Sequence, residues 1–168
     1  MQEYDEFDKQ ALEGLCAGYR RFLDNGKTER ECVAQSIDLA KKYGYVDLKD
    51  VSILRPGDKV YTSYMDKTIA LFQLGTEPLA EGMNILCAHI DSPRLDVKQN
   101  PLYEDSDIAL LDTHYYGGIK KYQWVTMPMA IHGVVCMKDG TKVEVIIGEK
   151  DNDPVVGISD LLIHLAGE

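Results

Sequence analysis

A histidine and an aspartate stand two residues apart in Cys87-Ala88-His89-Ile90-Asp91-Ser92-Pro93, a pairing that metal chemistry can use. A neutral imidazole ligates zinc through one ring nitrogen. The other nitrogen needs an acceptor that fixes tautomer and direction, and a carboxylate serves that purpose while raising the basicity of the ring. Residues two apart lie on the same side of an extended chain. Ser92-Pro93 then ends the strand and lets the carboxylate fold back, so on this reading His89 ligates and Asp91 orients it. The competing account is ordinary: a histidine ending an apolar strand is most often a hydrogen-bonded structural residue. Cys87 shares the face of His89, which allows a thiolate–imidazole pair, although a small buried cysteine in a core strand is the simpler account.

The elements that would position this segment can be read from periodicity. Residues 5–23 predict a helix, with Leu12, Leu15, Tyr19, Phe22 and Leu23 as a stripe for core packing. Asn25-Gly26 ends it, both types tolerating a left-handed terminus. Thr28 and Glu31 have capping-box spacing for a second helix, whose core face carries Val33, Ile37 and Ala40 and which Gly44 closes. After the turn at Pro56-Gly57-Asp58, strands are expected at 59–64 and 68–74, joined through Met65-Asp66-Lys67. Residues 84–88 form a short, continuous apolar run, the mark of a strand buried on both faces. A strand at 94–98 and a polar loop at 99–107 follow. From 108 onward the pattern is β, with strands at 129–137 and 142–148 around an Asp139-Gly140 hairpin turn. Residues 155–168 predict a helix capped by Ser159, with Leu161, Leu162 and Leu165 on its apolar side. The pattern stops in mid-element at Glu168, which is read as truncation.

Composition narrows the classes. The 168 residues hold 45% hydrophobic and 27% charged side chains, an ordinary globular balance. The formal net charge of −10 repels phosphate backbones and anionic membranes, so neither nucleic acid nor membrane is expected as a partner. No apolar run approaches the length of a membrane span, and the acidic start differs from a secretory signal. Four scattered cysteines without a C-x-x-C pair suit reduced thiols in the cytoplasm.

The stretch from Gly82 to Lys98 resembles the metal-site strand of the aspartyl aminopeptidase family of two-metal exopeptidases, which reads A-H-T-D-S-P, a variable residue, leucine, a variable residue, V-K. Tyr116-Gly117-Gly118 resembles the family's Y-G-G, and Trp124 falls near its tryptophan-rich segment. Residues 130–135 resemble its A-G-R-V strand, and Ile158-Ser159-Asp160-Leu161-Leu162-Ile163-His164-Leu165 resembles I-P-H-L-A-I-H-L. The resemblance runs in order from about Gly18 to Glu168. It implies that His89 is the first metal ligand and that Asp91 orients it. His164 matches a histidine that reaches a neighbouring subunit's active site, close to the substrate carbonyl. The remaining ligands and the catalytic glutamate belong to P-R-x-D-N, E-E and later motifs, none of which occurs here. Asp96 lies in the earlier motif and is not taken for the bridging ligand. Where the family reads W-F-D-R-D-L, this chain has Trp124-Val125-Thr126-Met127-Pro128-Met129, so the resemblance leaves the preferred amino-terminal residue of the substrate open. His114 and His132 match no functional position.

The expected fold is α/β: part of a mixed-sheet α/β/α zinc-peptidase domain, followed by the start of a mostly β inserted dimerisation domain. Residues 1–98 would be the first half of the catalytic domain and 99–168 the opening of the insertion. The implied function is a cytoplasmic, homo-oligomeric metallo-aminopeptidase acting on peptides. Two divalent metals, expected to be zinc, would serve the complete enzyme, with one ligand in this chain and no activity from this chain alone. Two rivals remain open: a non-catalytic oligomerisation or peptide-binding module, and a related two-metal amidase or deacylase. The Y-G-G and I-H-L matches lean against the second.

Overall fold

A computed structural model describes residues 4–125 and 127–158. The chain divides into two compact units, Met1–Asp91 and Ser92–Glu168. The sequence-based boundary after Lys98 falls within a strand that runs from Arg94 to Asp105.

In the first unit, α1 spans Glu6–Asn25 and α2 spans Glu29–Lys42. Each starts in a reciprocal capping box, Asp5 with Asp8 and Thr28 with Glu31, which satisfies donors of the first turn. Three strands follow, β1 (Val46–Asp47), β2 (Lys59–Tyr64) and β3 (Thr68–Gln73), in the order β1-β2-β3. The β1–β2 pair is parallel and the β2–β3 pair antiparallel. The core lies where α2 meets this sheet: Cys32, Val33 and Ala40 on the helix, Val60 and Tyr61 on the central strand. Burying each larger apolar side chain contributes about 1.5–3 kcal/mol.

Two expectations here require correction. The α1 stripe is not core: Leu12, Leu15, Tyr19 and Leu23 are exposed and no residue of α1 is buried. Periodicity records that a face is apolar, but it does not supply the cover. Gly26 is not left-handed either, with φ −115°. Its lack of a side chain serves close approach, since a Cβ there would stand 2.7 Å from Cys32 Sγ and 3.0 Å from the Phe22 carbonyl oxygen. Gly44, which follows α2, does use the left-handed region, at φ +85°.

The second unit is built from hairpins. Strands β4 (Arg94–Asp105) and β5 (Ile108–Tyr116) pair antiparallel with a shift in register between Val97 and Leu102. The loop expected at 99–107 is therefore mostly strand. Its polar residues face solvent on an open two-stranded ribbon, and Pro101 sits at the irregularity, where a missing N–H is tolerated. Strands β6 (Ile131–Cys136) and β7 (Lys142–Ile147) are joined by a turn in which the Gly140 N–H donates to the Met137 carbonyl. Val156 and Ile158 form isolated bridges with Met129 and Val125, so the chain is extended where a helix from 155 was expected. Ser159, Leu161, Leu162 and Leu165 of that expected helix lie outside the described residues. Among the described residues no helix is long and apolar enough to cross a membrane.

Candidate metal centre

The segment that carries His89 departs most from its sequence-based reading. Residues 83–93 have no regular secondary structure, where a strand at 84–88 was expected. A strand needs neighbours to take its backbone hydrogen bonds, and no described residue pairs with this run. Ile85 and Leu86 are exposed, Leu86 at 99%. Cys87 is exposed too, which overturns its reading as a small core cysteine.

His89 and Asp91 nevertheless meet. The His89 Nδ1 atom lies 2.8 Å from the backbone carbonyl oxygen of Asp91 and 3.7 Å from its carboxylate Oδ1. The first distance is a hydrogen bond and the second is not. A neutral ring protonated at Nδ1 donates to that carbonyl and keeps the Nε2 lone pair for a ligand bond. The tautomer is thus set by the main chain of Asp91, with its carboxylate close by. The His89 side chain is 84% exposed and that of Asp91 36%.

The donor set tests whether zinc fits. A structural zinc site needs four protein ligands and a catalytic one three. Among the described residues no three His, Cys, Asp or Glu side chains converge. His89 fits as one ligand, the described residues do not make a complete site, and no reaction step is derived from them. His164 and its neighbours lie outside the described residues.

The other polar groups near the matched motifs have structural partners. Asp96 accepts from Arg94 Nε at 2.7 Å, and the Arg94 guanidinium lies 4.2 Å from the centre of the Tyr116 ring. Gly117, at φ +73°, packs against Pro93, whose Cγ would lie 3.4 Å from a Cβ. The Tyr116-Gly117 motif therefore braces residues 93–94 within the second unit, a role that sequence reading missed. Only the register of the β4–β5 hairpin, which sets Arg94 opposite Tyr116, brings these positions together. His114 bonds its neighbour's carbonyl through Nδ1, and His132 Nε2 lies 2.8 Å from Glu149 Oε1 across the β6–β7 hairpin. Cys32 is held as a thiol, its pKa raised by burial and by Glu31 and Glu29.

The fold class is mixed α/β, and its histidine-bearing segment presents an exposed imidazole hydrogen-bonded through Nδ1. Comparison with known proteins makes the class specific: the profile of the aminopeptidase I zinc metalloprotease family (M18) matches residues 22–168, and the chain belongs to that family. A probable M18 family aminopeptidase 1 of Clostridium acetobutylicum is 57% identical over 99% of this chain and 37% of its own length. The aminopeptidase I structure from Borrelia burgdorferi superposes with a TM-score of 0.88 at 42% identity, covering 95% of this chain and 40% of that one. The M18 aminopeptidase structure from Thermotoga maritima gives 0.85 at 43% identity, covering 100% and 38%. The chain thus spans less than half the length of the relatives it matches.

Proposed function

We propose that this chain is the amino-terminal part of a zinc aminopeptidase that removes amino-terminal residues from peptides. The observation that carries the reading is the His89 ring, held through Nδ1 by Asp91 in a chain matched to a zinc metalloprotease family. Residues 1–98 are assigned to the first half of the catalytic domain and 99–168 to the start of an inserted dimerisation domain. In the whole protein His89 is one ligand to a pair of divalent ions, and Asp91 positions its ring. Such ions supply an activated water and polarise a carbonyl. His164 is proposed to donate to the oxyanion on a neighbouring subunit's substrate within a homo-oligomer, in the cytoplasm. The present chain, with one ligand, is expected to be inactive alone.

The test uses the longer protein to which this sequence corresponds. With zinc restored after chelation it should release amino-terminal residues from short peptides, and His89→Ala should lose that activity and one equivalent of tightly bound metal. Full activity in His89→Ala would sink the assignment. Release of acyl groups from N-acyl amino acids, with free peptides untouched, would move the protein to the amidase reading.

A further inference from the structure

Two glycines follow a residue whose side chain can close a ring on the next backbone nitrogen, in Asn25-Gly26 and Asp139-Gly140. Glycine has no side chain to shield that nitrogen and lets the backbone turn freely. The fold treats the two pairs differently. The Asp139 carboxylate accepts from the Thr141 N–H at 2.9 Å, and that bond holds its pKa below the usual carboxylate range. An ionised carboxylate has no leaving group to expel, so ring closure is suppressed there. Asn25 is the last residue of α1 and is exposed, and among the described residues its side-chain amide has no hydrogen-bond partner. The Gly26 N–H reaches the Leu23 carbonyl at 3.4 Å, longer than a good N–H···O bond, and helix ends fray. Both reacting groups are loosely held. The other asparagines are exposed as well, but each is hindered at its successor. Asn84 precedes Ile85, whose β-branch crowds the nitrogen, and Asn100 precedes Pro101, which has no N–H. After Asn152, the Asp153 N–H donates to the Lys150 carbonyl at 2.9 Å.

We infer that Asn25 is a site of spontaneous deamidation through a cyclic imide with Gly26, and that the isoaspartate so formed opens the corner between α1 and α2. The Gly26 nitrogen gives its proton to water and bonds to Asn25 Cγ. The Cγ–Nδ2 bond breaks, and the departing nitrogen takes a proton from solvent and leaves as ammonia. Water then adds to the imide and reopens it. Opening at Cγ gives aspartate. Opening at the main-chain carbonyl gives isoaspartate, whose chain runs on through the side chain and is longer by a methylene. The corner has no room for that insertion. A Cβ on Gly26 would already stand 2.7 Å from Cys32 Sγ, 2.9 Å from Gln35 Nε2 and 3.0 Å from the Phe22 carbonyl oxygen. The Cys32 thiol donates to the Gly26 carbonyl at 3.6 Å and Gln35 Nε2 to the Phe22 carbonyl at 3.1 Å. These bonds tie α2 to the end of α1, and a displaced Gly26 breaks the first and strains the second. The site is independent of the enzymatic reading.

The experiment ages the full, folded chain in warm, mildly alkaline buffer and follows each asparagine by peptide mapping, with a fragmentation that tells aspartate from isoaspartate. The same chain unfolded in urea reports the rate that local sequence alone sets. In the folded chain Asn25 is expected to lose ammonia at least ~tenfold faster than Asn84, Asn100 or Asn152, with isoaspartate as the main product. Cys32, buried in fresh protein, should take up a thiol reagent at least ~tenfold faster in the isoaspartate fraction. The exposed Cys87 serves as the unchanged reference. Asn25→Gln, whose longer side chain closes the ring poorly, should stop the reaction and keep Cys32 protected after the same ageing. An Asn25 that stays intact in the folded chain while it converts in urea overturns the site, because α1 then protects it. Aspartate without isoaspartate overturns the imide route. Isoaspartate at Asn25 with Cys32 still protected overturns the opened corner.

Discussion

An imidazole can hold zinc only through a nitrogen whose lone pair is bare, and the 2.8 Å contact between His89 Nδ1 and the Asp91 carbonyl leaves Nε2 for that purpose. One such nitrogen does not make a site. The chain alone is expected to bind zinc weakly and without defined stoichiometry by calorimetry, and tight one-to-one binding abolished in His89→Ala would reveal ligands not counted here. The same geometry sharpens a prediction for Asp91. If its carboxylate moves onto Nδ1 in the whole protein, Asp91→Asn there should cost ~10–100-fold in metal affinity or activity. If the main-chain carbonyl continues to do the orienting, asparagine preserves it and affinity at limiting zinc stays near the parent value. At Gly26 the expected outcome is a loss of stability. Alanine there meets the Phe22 carbonyl oxygen at 3.0 Å and Cys32 Sγ at 2.7 Å, and crowding of that kind costs about 1–3 kcal/mol, measurable as a lower urea midpoint.

Turns of two hairpins hold non-glycine residues in the left-handed region: Met65 and Asp66 at φ 53° and 58°, Ser106 and Asp107 at 53° and 60°. Two consecutive positive φ values define a type I′ turn, which matches strand twist and favours Asn-Gly. The first is braced from outside, with Arg30 Nη1 donating to the Met65 carbonyl at 2.8 Å and lying 3.5 Å from Asp66 Oδ2. Arg30→Ala should therefore cost about 0.5–1.5 kcal/mol in a denaturant titration, and less once Met65-Asp66 is replaced by Asn-Gly. The loop after β7 depends on pH instead. The Asp153 carboxylate accepts from the N–H groups of Gly148, Glu149 and Lys150 at 2.9, 3.2 and 3.1 Å, and the Lys150 and Gly148 bonds lower its pKa most. A lowered folded pKa means that its contribution is present above the unfolded value, about 3.9, and is lost as pH falls through the lower folded one. Amide exchange at 148–150 should accelerate on that acid limb, and Asp153→Asn should flatten the response.

At the scale of the molecule, no three candidate metal ligands converge among the described residues, and the Clostridium relative runs to more than twice this length. Subunit exchange tests the role proposed for His164. In the whole protein, His89→Ala and His164→Ala should each be nearly inactive, the second through a lost oxyanion donor worth ~3–4 kcal/mol in other enzymes. Mixed under exchanging conditions, a pair combines an intact metal site in one subunit with an intact His164 facing it from the other, so activity should return. Exchange confirmed by mass without recovered activity would place His164 within its own subunit or outside the reaction.

Local chemistry was legible from the residues alone. The Thr28–Glu31 box, the helix over 29–42, the hairpin through Met65-Asp66 and the turn at Asp139-Gly140 are each decided by neighbours a few positions away, which is why spacing reveals them. The order of motifs around His89, Tyr116 and Trp124 likewise sufficed for the family. Tertiary structure decided whatever depends on partners distant in sequence. The α1 stripe and residues 84–88 are apolar in the way that core elements are, but burial is a property of two surfaces and the second is not encoded in the first. Whether Asp91 meets His89 through its carboxylate or its carbonyl depends on backbone torsions that the His-x-Asp pattern leaves free. Arg94 reaches Tyr116 only because the β4–β5 ribbon shifts register between Val97 and Leu102, and a register is fixed by the pairing of two strands, never by either one alone.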